Sequence, residues 1–118
     1  MFLEQLNRIT RRIPGALALS LVDRDGIPVE SVSSNPDLDL EVLAAEMVTL
    51  ARSVSDQYEE VGGGAFQQYT VATDRLVLVV SSISADYFLL LVSNQGSNLG
   101  RARFELRRAR LLLEDELR

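Results

Sequence analysis

Two unbroken apolar runs, Leu76-Val77-Leu78-Val79-Val80 and Phe88-Leu89-Leu90-Leu91-Val92, do most to limit what this chain can become. A strand with one face in water alternates apolar and polar side chains. These runs do not alternate, so both faces of both strands have to be covered. A short turn, Ser84-Ala85-Asp86, links them, and so short a link joins only antiparallel neighbours. Upstream, Ala65 to Ala72 forms another strand, joined through Thr73-Asp74-Arg75. The segments 65–72, 76–82 and 87–93 therefore predict a three-stranded meander, with helices on both sides of its sheet.

The rest of the chain supplies those helices and a second pair of strands. Phe2, Leu6, Ile9 and Ile13 mark a short amphipathic helix over 2–13, stopped by Pro14-Gly15. Strands 16–22 and 27–32 form a hairpin around the turn Asp23-Arg24-Asp25-Gly26. Pro28 cannot donate to a ladder, which places the return strand at a sheet edge. A long helix follows over 38–60, capped by Asn35 or Asp37. On a helical wheel Leu50, Leu43, Val54, Met47, Leu40, Tyr58, Ala51, Ala44 and Val48 share an arc of roughly 160°. Glu41, Arg52, Asp56, Thr49, Glu46 and Gln57 mark the other side, interrupted by Val42 and Ala45. Gly62-Gly63-Gly64 ends this helix. The closing helix starts at Ser97 or Asn98 and buries a stripe of Leu99, Ala102, Leu106, Ala109, Leu113 and Leu117.

With 118 residues the chain makes one domain, 1–118. It has no Cys, His or Lys; all twelve of its basic side chains are Arg. That composition removes thiolate and imidazole chemistry, Schiff bases and the P-loop lysine. The expected protein is not an enzyme and carries no cofactor. The net charge of −5 opposes nucleic-acid binding. No apolar run approaches the ~20 residues of a membrane span, so membrane insertion is not expected and a cytoplasmic location is.

Several residues invite a chemical reading and receive a plainer one. Gly62-Gly63-Gly64 sits between a helix and a strand, the reverse of a phosphate-binding loop, and reads as a connector. Asp23 and Asp25 lack the further ligands of a calcium loop and read as a solvated turn, not a metal site. Ser81, Ser82 and Ser84 have no base to activate them. Arg101, Arg103, Arg107, Arg108 and Arg110 give the closing helix a basic stripe. It reads as a solvated face with the spacing for Arg101–Glu105 and Arg110–Glu114 pairs. No residue is assigned to catalysis, a cofactor or a metal.

The long helix and the strand after it point to self-pairing. The apolar arc is wider than one buried stripe needs. Phe66-Gln67-Gln68-Tyr69-Thr70-Val71 carries none of the Lys, Pro or charge that protects a sheet edge. This strand has a neighbour on one side only, unless the first hairpin adds to it. The expected dimer interface comprises Val42, Ala45, Thr49, Phe66, Gln68 and Thr70.

Three stretches, in this order, carry a family resemblance. They are Ile13-Pro14-Gly15-Ala16 with Leu21-Val22-Asp23-Arg24-Asp25-Gly26-Ile27-Pro28, then Leu43-Ala44-Ala45-Glu46-Met47, then Asn98 to Leu106. Together with the element order they resemble the roadblock/dynein light chain family, of the bacterial or archaeal type. The resemblance implies an α+β fold of profilin-like architecture. Its five-stranded antiparallel sheet has one long helix on one face and both terminal helices on the other. It also implies a homodimer with central helices side by side and sheets joined edge to edge. Such modules bind small Ras-like GTPases, as activating co-proteins or scaffolds. In that arrangement Glu41, Ala45, Thr49, Arg52 and Asp56 form the partner platform. Arg52, the only cation on the central helix, is the one candidate for an arginine finger. The alternative is a small-molecule sensor of PAS or profilin-like type, which requires a concave pocket.

Overall fold

The computed structural model describes residues 2–117. Its elements are α1 (Leu3–Arg11), β1 (Ala16–Asp23), β2 (Pro28–Ser33), α2 (Leu40–Glu60), β3 (Gln68–Ala72), β4 (Leu76–Ser82), β5 (Tyr87–Asn94) and α3 (Leu99–Glu114). A short 3-10 turn, Asp115–Leu117, follows. The five strands form one antiparallel sheet in the order β2-β1-β5-β4-β3.

The unbroken apolar strands occupy the interior as their composition requires. Alternate side chains of β4 and β5 enter two separate cores. Val79, Leu89 and Leu91 join Leu19 and Leu21 beneath α1 and α3. Leu78, Val80, Leu90 and Val92 join Ala18 and Val22 beneath α2. Leu6 and Ile9 supply the α1 side of the first core, and Ala102, Leu106, Ala109 and Leu113 the α3 side. On α2 only Ala44, Met47, Val48 and Ala51 are buried, so the deeply covered stripe is narrower than the apolar arc.

Three boundaries differ from expectation by two residues or more, whereas α3 starts from one of its two expected caps. Helix α2 starts at Leu40, and its cap is Asp39, whose Oδ1 accepts the Val42 N–H at 3.2 Å. Asn35 is already committed to its own turn: its Oδ1 accepts the Asp37 N–H and its carbonyl the Leu38 N–H. Strand β3 starts at Gln68 instead of Ala65. Phe66 leaves the strand line to pack near Tyr69 and Phe88, with ring centroids 5.9 and 6.4 Å away. Helix α1 ends at Arg11, yet Ile13 beyond it stays in the core. Helix α3 is capped by Asn98, which accepts the Arg101 N–H, while Ser97 Oγ donates to the Asn94 carbonyl.

Pro28 sits on β2 at the sheet edge, as its chemistry demands. The Asp23 N–H donates to the Ile27 carbonyl, so Pro28 falls at the next position, where no ladder bond is needed.

Candidate docking surfaces

Helix α2 lies across the sheet with two unlike flanks. One flank meets the β1–β2 turn. A Cβ on Gly26 would stand 3.0 Å from the Ala45 Cα, and Gly26 has φ +83°. Only glycine combines that backbone with so close an approach. On the same flank Arg52 Nη1 donates to the Arg24 carbonyl at 3.1 Å. Asp23 organises the turn itself: its Oδ1 accepts the N–H groups of Asp25 and Ile27. Among the described residues no three acidic side chains gather to hold a metal ion.

The other flank faces β3. Tyr69 OH donates to the Met47 carbonyl, and burial pushes the Tyr69 pKa up to about 12. Val54, Tyr58, Phe66 and Tyr69 line a groove of about 290 Å3. Leu43 and Val54 are half-buried, whereas Leu50 and Tyr58 are 46% and 56% exposed. These four residues belong to the apolar arc of α2, which is wider than one buried stripe needs.

Beyond them runs the open edge of the sheet. The Ser82 N–H donates to the Gln67 carbonyl. Antiparallel pairs alternate, so the 69–80 and 71–78 pairs carry the ladder bonds between β3 and β4. The N–H and C=O groups of Gln68, Thr70 and Ala72 therefore point away from β4, toward the open edge. Their side chains turn to the α3 side. Gln68 Nε2 donates to Ser81 Oγ, and Arg103 Nη2 to Thr70 Oγ1 at 3.3 Å.

The residues selected from sequence fall into separate places. Phe66, Gln68 and Thr70 lie at or beside the β3 edge. Ala45 lies on the hairpin flank of α2, with Thr49 one turn on, its Oγ1 donating to the Ala45 carbonyl. Val42 is 51% exposed on the outer surface. The structure thus does not bring Ala45 and Thr49 together with the β3 edge. The α2 residues that do face it are Leu43, Leu50, Val54 and Tyr58, and the excess width of the apolar arc is the signal that marks them. Glu41, Ala45, Thr49, Arg52 and Asp56 are all exposed and share one side of α2. Arg52 is anchored on the hairpin carbonyl.

The remaining candidates have local roles. Gly62 and Gly63 close α2: their N–H groups donate to the Glu59 and Tyr58 carbonyls, with Gly62 at φ +74°. That is a Schellman cap, and it leaves those two N–H groups already engaged. Ser82 Oγ donates to the Ser84 carbonyl, and Ser84 Oγ accepts the Asp86 N–H, which builds the β4–β5 turn. Arg101 reaches Glu105 at 3.6 Å, but Arg110 and Glu114 do not pair. Arg110 instead lines a groove of about 240 Å3 with Phe66, Phe88 and Ser84. Among the described residues no helix is long and apolar enough to cross a membrane.

The architecture has close counterparts among solved structures. A Roadblock/LC7 domain from Streptomyces avermitilis superposes with a TM-score of 0.85 at 19% identity, covering 95% of this chain and 93% of that one. The gliding protein MglB from Thermus thermophilus gives 0.84 at 23% identity, over 95% and 84% of the two chains. MglC from Myxococcus xanthus gives 0.71 at 28% identity, over 98% of each chain. No curated protein shows significant sequence similarity to the chain. The sequence pattern of the Roadblock/LC7 domain, however, matches residues 1–94, and with the five-stranded sheet between one long and two terminal helices it makes this chain a member of the Roadblock/LC7 family.

Proposed function

We propose that the protein is a non-catalytic homodimer that docks a small Ras-like GTPase and regulates or scaffolds it. One observation carries the dimer. The outward backbone groups of Gln68, Thr70 and Ala72 and the partly exposed apolar flank of α2 lie on the same side of the molecule. Pairing two such sides extends the sheet through β3 and covers Leu43, Leu50, Val54 and Tyr58 with their copies. Both contributions favour association: ladder bonds form at the open edge, and apolar area leaves water.

On each protomer the side of α2 away from that joint forms an exposed platform. Glu41, Ala45, Thr49, Arg52 and Asp56 contribute small and charged side chains to it. Over its length α2 carries five carboxylates and a single arginine. A mixed, mostly acidic surface suits a reversible partner better than an obligate one. With Arg52 held on the Arg24 carbonyl, regulation acts by ordering the GTPase's own switch loops, which differ between nucleotide states.

The test is titration calorimetry against Ras-like GTPases encoded in the same genome, each loaded with GDP or a GTP analogue. One nucleotide state of one GTPase should bind saturably. Ala45→Arg and Asp56→Arg should each weaken that binding about tenfold or more, while light scattering still reports a dimer. Binding unchanged in both variants would move the platform elsewhere.

A further inference from the structure

Helix α3 lies outside the part of the chain that matches the family pattern, and its outer surface has no role in the proposed dimer. From residue 99 to 114 it carries five arginines and two glutamates in a chain of net charge −5. Its inner face packs in the core through Ala102, Leu106, Ala109 and Leu113. Its outer face is not simply polar. Phe104 is 57% exposed and Leu111 70%. Seven residues apart, they stand two turns from each other on nearly the same line.

Arginines flank that line on both sides. Arg107 lies toward β3 and has no hydrogen-bond or ion-pair partner among the described residues. Arg108 lies on the other side. It and Arg101 are drawn to Glu105, 3.9 and 3.6 Å away, whose side chain is 2% exposed. Glu105 Oε1 carries no hydrogen bond, so these contacts orient the two guanidinium groups without using up their donors. Arg101 is fixed further by its bond to the Arg12 carbonyl. The outcome is a short apolar ridge between two rows of cationic forks, on the side of the sheet away from α2.

We infer that this ridge is a docking site for an acidic amphipathic helix of another protein. Apolar side chains of that helix cover Phe104 and Leu111, and its flanking carboxylates meet Arg107, Arg108 and Arg101. Charge selects this occupant. A second copy of α3 would set arginines against arginines. An anionic bilayer would also meet Glu114, Asp115 and Glu116, one turn beyond Leu111, whereas a helix crossing α3 at an angle touches only the two turns from Phe104 to Leu111 and diverges from the acidic end. The site exists on each chain whether or not the proposed dimer forms.

The test titrates full-length protein with a fluorescent synthetic helix of about 18 residues, leucines spaced i, i+3, i+7 and flanked by glutamates. Controls are the same composition scrambled, the same pattern with lysine for glutamate, and vesicles containing phosphatidylserine. Saturable binding to the acidic helix alone is expected. Phe104→Ala should weaken it about tenfold and Arg107→Glu about fivefold, both with unchanged thermal melting. No saturable binding, equal binding of the scrambled peptide, or tighter Phe104-dependent binding to vesicles would each overturn the inference.

Discussion

The sheet ends on β2 at one side and on β3 at the other, and the two edges differ in the features that govern pairing with another chain. On β2, Pro28 offers no N–H toward the edge. The register slips between Leu21 and Val22, a bulge that twists the strand away from a flat pairing line. Glu30 adds a carboxylate. On β3, Gln68 to Ala72 contains no proline and no charge, and its outward groups run in register without interruption. The hairpin that carries β2 is also tied to α2 through Gly26 and Arg52, whereas the flank of α2 toward β3 leaves Leu50 and Tyr58 in water. One side of the molecule is finished and the other is left ready to pair, which is the physical basis of the proposed homodimer.

The most direct attack on this contrast is Thr70→Pro. It removes an N–H that points to the open edge while the β4 ladder, carried by Tyr69 and Val71, stays intact. Light scattering at about tens of micromolar, a range typical for testing moderate affinities, should show wild type at twice the 13.1 kDa chain mass and the variant at one chain mass. A variant that remains dimeric would place the joint elsewhere.

Glycines near the two ends of α2 probe the same contrast with a smaller effect. Gly26→Ala should cost about 2 kcal/mol in urea unfolding, because a positive φ and the Ala45 backbone both oppose the new methyl. Gly64→Ala, at φ +88° but with nothing within 4 Å, should cost only about 1 kcal/mol. Equal losses would mean that the hairpin flank is no tighter than the other.

The least change is expected at Tyr69. Tyr69→Phe deletes the bond to the Met47 carbonyl and should cost about 1 kcal/mol. Burial favours the neutral phenol and raises its pKa from 10.0 to about 12. The unfolded state therefore loses the proton first as pH rises, and stability should fall from pH 10 through about pH 12. Unfolding followed across that range should show a shallower decline in the Phe variant.

Much of this architecture was legible in residue order. The apolar runs of β4 and β5 require cover on both faces. Pro28 requires an edge. The 3.6-residue periods of α1 and α3 choose which of their faces is buried, and those faces are the ones found in the core. The docking surfaces were less legible. Leu50, Val54 and Tyr58 lie on the same helical arc as Met47, and periodicity treats them alike. Their exposure depends on how far the sheet extends beneath them, and β3 begins three residues later than its composition suggests because Phe66 turns inward to Phe88.

Residue order alone settles the secondary elements, the antiparallel meander and the apolar side of each helix, because those follow from contacts between residues near in the chain. It leaves open whether the first hairpin closes the β3 edge. Long-range packing answers that: β1 pairs with β5, from Ala16 opposite Ser93 to Asp23 opposite Tyr87. That choice puts the hairpin at the far side of the sheet and leaves β3 with one neighbour. Pairing between segments so distant in the chain depends on how two whole faces pack together, and no local pattern of apolar spacing encodes it.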